Sequence, residues 1–131
     1  MKTCSHKKTY LLAILAAAIA SSSGTFAHPG HPDTTKAQQK SWDEIEQEPL
    51  GVGLLRQYVY GDQAMFVRFE FEKGSKVPMH SHPNEQITYV EKGLMEFLVG
   101  GEKHTLSKGD VLVIPPNVEH GGDVLEHTIE Y

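Results

Sequence analysis

"VPMHSHPNEQITYVEKG", residues 77–93, decides how the rest of this chain is read. It sets His80 and His82 one residue apart, then Glu85 and Gln86, a run of strand-forming residues and a glycine. On an extended chain successive side chains point to opposite faces, so His80 and His82 share one face. Two imidazoles placed that way are half of a chelate. If the rhythm continues unbroken, Gln86 falls on the histidine face and Glu85 on the other. Pro83 and Asn84 interrupt it, so parity favours Gln86 and leaves Glu85 open.

On both sides of this stretch the hydrophobic period is two. In AMFVRFEFE, Met65, Val67, Phe69 and Phe71 alternate with Phe66, Arg68, Glu70 and Glu72, as in a half-buried strand. QITYVEK and LMEFLV read as strands broken at Gly93, and Gly100-Gly101 reads as a tight hairpin into KHTL. Ser107-Lys108-Gly109-Asp110 turns the chain into VLVIPP, and LEHTIEY alternates to the end. About eight short strands with no long helical pattern predict an all-β sandwich or barrel. SWDEIEQEP reads as one helical turn or an edge segment stopped by Pro49.

A third imidazole, His120, stands after the Pro-Pro turn of "GDVLVIPPNVEHG". Three histidines and one oxygen donor make a plausible divalent-metal site with positions left for water or substrate. Zn, Ni, Mn and Fe ions all accept such a donor set. His104 and His127 sit in amphipathic strands without partners and read as surface or packing residues. Arg56 and Arg68 are the only arginines, so either is a candidate clamp for a substrate carboxylate. Arg68 shares the polar face with Glu70 and Glu72. Arg56 shares parity with Leu54, Tyr58 and Tyr60, which makes it the candidate to face the interior and bind substrate.

The spacing Gly74, five residues, His80-x-His82, three residues, Gln86, six residues, Gly93 resembles the first cupin motif, with glutamine where glutamate is usual. Gly109, five residues, Pro115-x-Asn117, two residues, His120 resembles the second, with asparagine in place of its second glycine. The resemblance implies a small jelly-roll β-barrel holding one divalent transition metal inside. The wording HxHPxEQ is similar to the KdgF-like pectin-degradation group. That likeness implies His80, His82, Gln86 and His120 as metal ligands, with the glutamine and not the preceding glutamate as the fourth. It also implies chemistry on unsaturated monouronates, converted to linear keto forms. The group's tail of the type Asp-x-Phe-x-Pro-x-Arg, which supplies active-site groups, belongs after the point where this sequence ends at Tyr131.

The 131 residues divide into three expected parts. Residues 1–27 read as a secretory signal: Lys2, Lys7 and Lys8, then the short apolar run YLLAILAAAIA, then a cut after Ala27. Residues 28–48 read as a weakly ordered arm, and 49–131 as the cupin domain. The net charge of −5 becomes more negative on cleavage, because three basic residues and no acidic ones leave. That excludes nucleic acid, and an anionic membrane surface after cleavage, as partners. The only cysteine, Cys4, goes with the signal, so a packed core or a homodimer must supply stability. The expectation is a periplasmic or secreted metal-binding cupin acting by Lewis-acid chemistry on a carboxylate or sugar acid. A metal-dependent dioxygenase and a non-catalytic binding module are the alternatives.

Overall fold

The structure is a computed structural model that describes residues 36–131. The signal sequence, the cut after Ala27 and residues 28–35 of the expected arm lie outside the described residues. Among the described residues no helix is long and apolar enough to cross a membrane.

Among the described residues, ten strands follow one 3-10 turn at Trp42–Glu44: β1 (Glu48–Gly51), β2 (Leu54–Tyr60), β3 (Met65–Phe71), β4 (Lys76–His80), β5 (Gln86–Lys92), β6 (Leu94–Val99), β7 (Glu102–Ser107), β8 (Val111–Ile114), β9 (His120–Val124) and β10 (Thr128–Glu130). They form a six-stranded sheet of order β1-β2-β3-β10-β5-β8 and a four-stranded sheet of order β4-β9-β6-β7, with every pairing antiparallel. The all-β expectation stands, but the two sheets do not close into a barrel. No hydrogen-bonded ladder joins β8 to the four-stranded sheet, so the jelly roll is a sandwich with open edges.

The extra strands are the ones that periodicity marks poorly. β1 is an edge strand carrying Pro49, which an edge tolerates because no ladder needs its missing N–H. The turn before it is capped by Ser41 and Glu44 acting on each other's backbone. Gln57 Nε2 then donates to the carbonyls of Trp42 and Ile45, at 2.6 and 2.7 Å, and fixes that segment to β2.

Phe71, Val90, Met95, Phe97, Leu106 and Val124 fill the space between the sheets. The β6–β7 hairpin turns on Gly100 and Gly101, both at positive φ, as the sequence predicts. Gly93 links the sheets: it has φ 94°, and a Cβ there would run into the His127 carbonyl and the Thr128 hydroxyl. Only glycine fits where β5 crosses to β6.

Candidate metal centre

Register on two neighbouring strands starts the site. His80 ends β4 and His120 begins β9, and the two are directly opposed across the ladder. β9 approaches β4 closely because Gly121 has no side chain; a Cβ there would press on the Val77 carbonyl at 2.7 Å. His82 lies two residues beyond β4. Its carbonyl accepts from the Asn117 N–H at 2.8 Å, which binds the first motif's loop to the second. Asn117 has φ 63°, a left-handed conformation that asparagine adopts more readily than most residues. That accounts for asparagine at a position where the motif usually has glycine.

The imidazoles are held in the same way. His80 Nδ1 faces the Pro78 carbonyl at 2.8 Å, His82 Nδ1 the Asn84 carbonyl at 2.9 Å, and His120 Nδ1 the Val118 carbonyl at 2.8 Å. A carbonyl only accepts, so each Nδ1 carries the proton and each Nε2 presents a lone pair. One ligand atom from each ring lies within 4.8 Å of the other two. The His80 and His120 ring centroids are 4.3 Å apart. Burial holds His120 below the ordinary histidine pKa, against the opposing pull of its hydrogen bond to the Val118 carbonyl. A neutral ring is what a metal ligand needs.

The residues fit a metal on their own geometry. Among the described residues, His120 Nε2 is the buried side-chain polar atom with no hydrogen-bond partner, and a buried polar atom left alone is costly. His82 Nε2 lies 3.1 Å from Gln86 Oε1. With the proton on Nδ1, that contact sets two lone pairs against each other, and a shared cation resolves it.

The structure thus brings together His80, His82, His120 and Gln86. Glu85 is exposed, and Gln86 is half-buried on the histidine side. Arg56 is not joined to them. It lies on the core-facing side of β2 opposite Phe69, as parity predicts, but its guanidinium is paired with Glu48 at 2.6 Å and lies over Tyr58. Arg68 pairs with Glu70 at 3.0 Å and with Gln57, and His127 also reaches Glu70. A hollow of about 440 Å³ lined by Trp42, Asp43, Ile45, Gln47, Gln57 and Arg68 includes none of the four.

Two residues at this site escape a reading for metal ligands. Gln86 Nε2 donates to Thr88 Oγ1 at 2.9 Å, and Thr88 Oγ1 donates to Glu130 Oε1 at 3.1 Å. Thr88 is fully buried and Glu130 is 4% exposed. Period two on β5 puts Thr88 on the face of Gln86, which was a usable signal. Nothing local marks Glu130.

Residues 67–127 match the cupin domain family. The pectin degradation protein KdgF of Dickeya dadantii is 37% identical over 86 residues, 64% of this chain and 78% of that protein. KdgF from a Halomonas species has a solved structure with TM-score 0.68 and 30% identity, covering 72% of this chain and 89% of the other. An RmlC-like cupin from Shewanella frigidimarina matches with the same score and identity over 86% of its chain. With two cupin motifs meeting in one imidazole cluster and these likenesses beside them, the chain belongs to the cupins, in the KdgF-like group.

Proposed function

We propose that this chain is a metal-dependent enzyme acting on a small sugar acid, of the type that converts unsaturated monouronates to linear keto forms. One observation carries the reading: three Nε2 lone pairs and the Gln86 oxygen converge without a proton donor among them. The likeness to pectin degradation proteins supports an acidic sugar as substrate. A divalent ion held there supplies Lewis-acid polarisation of a substrate oxygen. His80, His82, His120 and Gln86 are neutral donors and cancel none of its charge, which favours an anionic substrate over a neutral sugar. The three backbone carbonyls on Nδ1 keep the rings turned inward before anything binds. Arg56 is the candidate carboxylate clamp, exchanging Glu48 for substrate.

The protein works after export, with Ala27 as the last residue removed. It works as a homodimer. The outer face of β5 and β8 supports the second copy, because Ile87 and Val113 oppose each other there at 62% and 53% exposure, beside Tyr89 and Val111.

Protein loaded in turn with zinc, nickel, manganese or iron is incubated with unsaturated monouronates in an oxygen electrode. Loss of the substrate's ultraviolet absorbance without oxygen uptake is the expected result. Oxygen uptake coupled to substrate loss would assign a dioxygenase instead.

A further inference from the structure

Glu130 is a carboxylic acid shut between two sheets with one partner, the Thr88 hydroxyl. It ends β10, opposite Phe69 of β3 and Val90 of β5, so apolar side chains flank it on both neighbouring strands. Burying such a group is costly, and it makes no ion pair to offset the cost. Its one connection leads through Thr88 to Gln86.

The chain of donors fixes a choice that Gln86 could otherwise make either way. Its amide has an oxygen end that only accepts and a nitrogen end that only donates. Left to itself, the nitrogen would turn to His82 Nε2, because N–H against a lone pair is favourable and the observed oxygen against a lone pair is not. Thr88 prevents this. A hydroxyl has one proton, and an ionised Glu130 can only accept it, so Thr88 spends it there. What Thr88 then offers Gln86 is a lone pair, and only the amide nitrogen can meet it. While Glu130 is ionised, the oxygen must face the imidazoles.

We propose that Glu130 is a positioning residue which, through Thr88, sets the oxygen end of the Gln86 amide toward His80, His82 and His120. The inference rests on the metal reading of that site. Glu130→Gln removes the constraint, since the new amide can donate to Thr88, freeing the hydroxyl to donate to the Gln86 oxygen and turn it away.

The test is zinc titration of metal-free protein by calorimetry at pH 8.5, together with side-chain amide NMR of the same metal-free samples. Glu130→Gln and Thr88→Val should each lose about 10–100-fold in zinc affinity, the usual effect of disturbing a ligand's supporting partner. Thr88→Ser, which keeps the hydroxyl, should match the unaltered protein. Gln86→Glu is the background that separates positioning from packing. A carboxylate presents oxygen whichever way it turns, so adding Glu130→Gln there should leave affinity unchanged or raise it. An equal loss in both backgrounds would overturn the proposal, because a packing or long-range charge effect does not depend on residue 86.

The NMR arm stands apart from metal binding. In metal-free protein the Gln86 amide protons should contact the Thr88 methyl, and in Glu130→Gln contacts to the His82 ring should appear. Amide protons on the His82 ring in the unaltered protein would overturn the proposal. Absence of zinc binding with the Thr88 contact present, and lost in Glu130→Gln, would overturn the metal reading and uphold the positioning chain.

Discussion

Glu130 carries a cost that pH exposes. Burial raises its pKa to about 7 from an ordinary 4.5, with the Thr88 hydrogen bond opposing the rise. Between those values the folded protein binds a proton that the unfolded chain has released, so this group's contribution to stability falls as pH rises through that window. Above it the full penalty is on the order of 3 kcal/mol. Metal-free Glu130→Gln should therefore melt higher than the unaltered protein at pH 8 and show little difference at pH 4, by thermal unfolding. Equal melting shifts at both pH values would mean that the carboxyl is solvated. Gln86 gives a second prediction. Gln86→Glu keeps the oxygen ligand but places a negative charge beside the bound acid, which at ~4 Å and an effective dielectric near 20 costs up to about 4 kcal/mol. A third of that is about tenfold in affinity for a uronate. Calorimetry at two ionic strengths should show the loss shrinking in high salt. Strand parity favours Gln86 over Glu85 and the motif wording selects it, whereas Thr88 shares only a face with Gln86 and nothing local marks Glu130. The link from residue 88 to residue 130 crosses 42 positions of sequence and exists only because β10 lies beside β5.

At the scale of strands, legibility followed periodicity. β3 alternates apolar and polar residues, β5 and β6 are runs of strand formers broken at Gly93, and the extents of all three agree with that reading. β9, HGGDV, has two glycines and no alternation to read, yet it carries His120 and pairs with both β4 and β6. Its glycines answer to neighbours that local pattern does not contain. A Cβ at Gly121 would press on Val77 and Met79, and one at Gly122 on the Glu96 carbonyl. Gly93 is the sharpest case, since both its φ and its space exclude a side chain. Gly93→Ala should destabilise the fold by at least about 2 kcal/mol, seen as a lower urea midpoint with the slope unchanged. A change within about 0.5 kcal/mol, the range of an ordinary surface substitution, would mean that the β5–β6 crossing relaxes freely.

For the whole molecule, closure was the feature the sequence could not supply. Strand count and period specify a two-layer all-β domain, but whether two sheets join at their edges depends on pairings between distant strands. The open edge at β8 leaves Val111 and Val113 beside Ile87 and Tyr89 on one outward face. The proposed homodimer would cover that face. Sedimentation should show a dimer that Ile87→Lys with Val113→Glu converts to monomer without loss of folded signal, and a monomeric unaltered protein would remove the homodimer from the account. The measurement that bears most directly on the central claim is the metal content of protein purified without added metal. One equivalent of a divalent transition metal per chain is expected, absent from His82→Ala and His120→Ala and retained in Glu85→Ala. Full metal content in the histidine variants, or equal loss in Glu85→Ala, would contradict a centre built from His80, His82, Gln86 and His120.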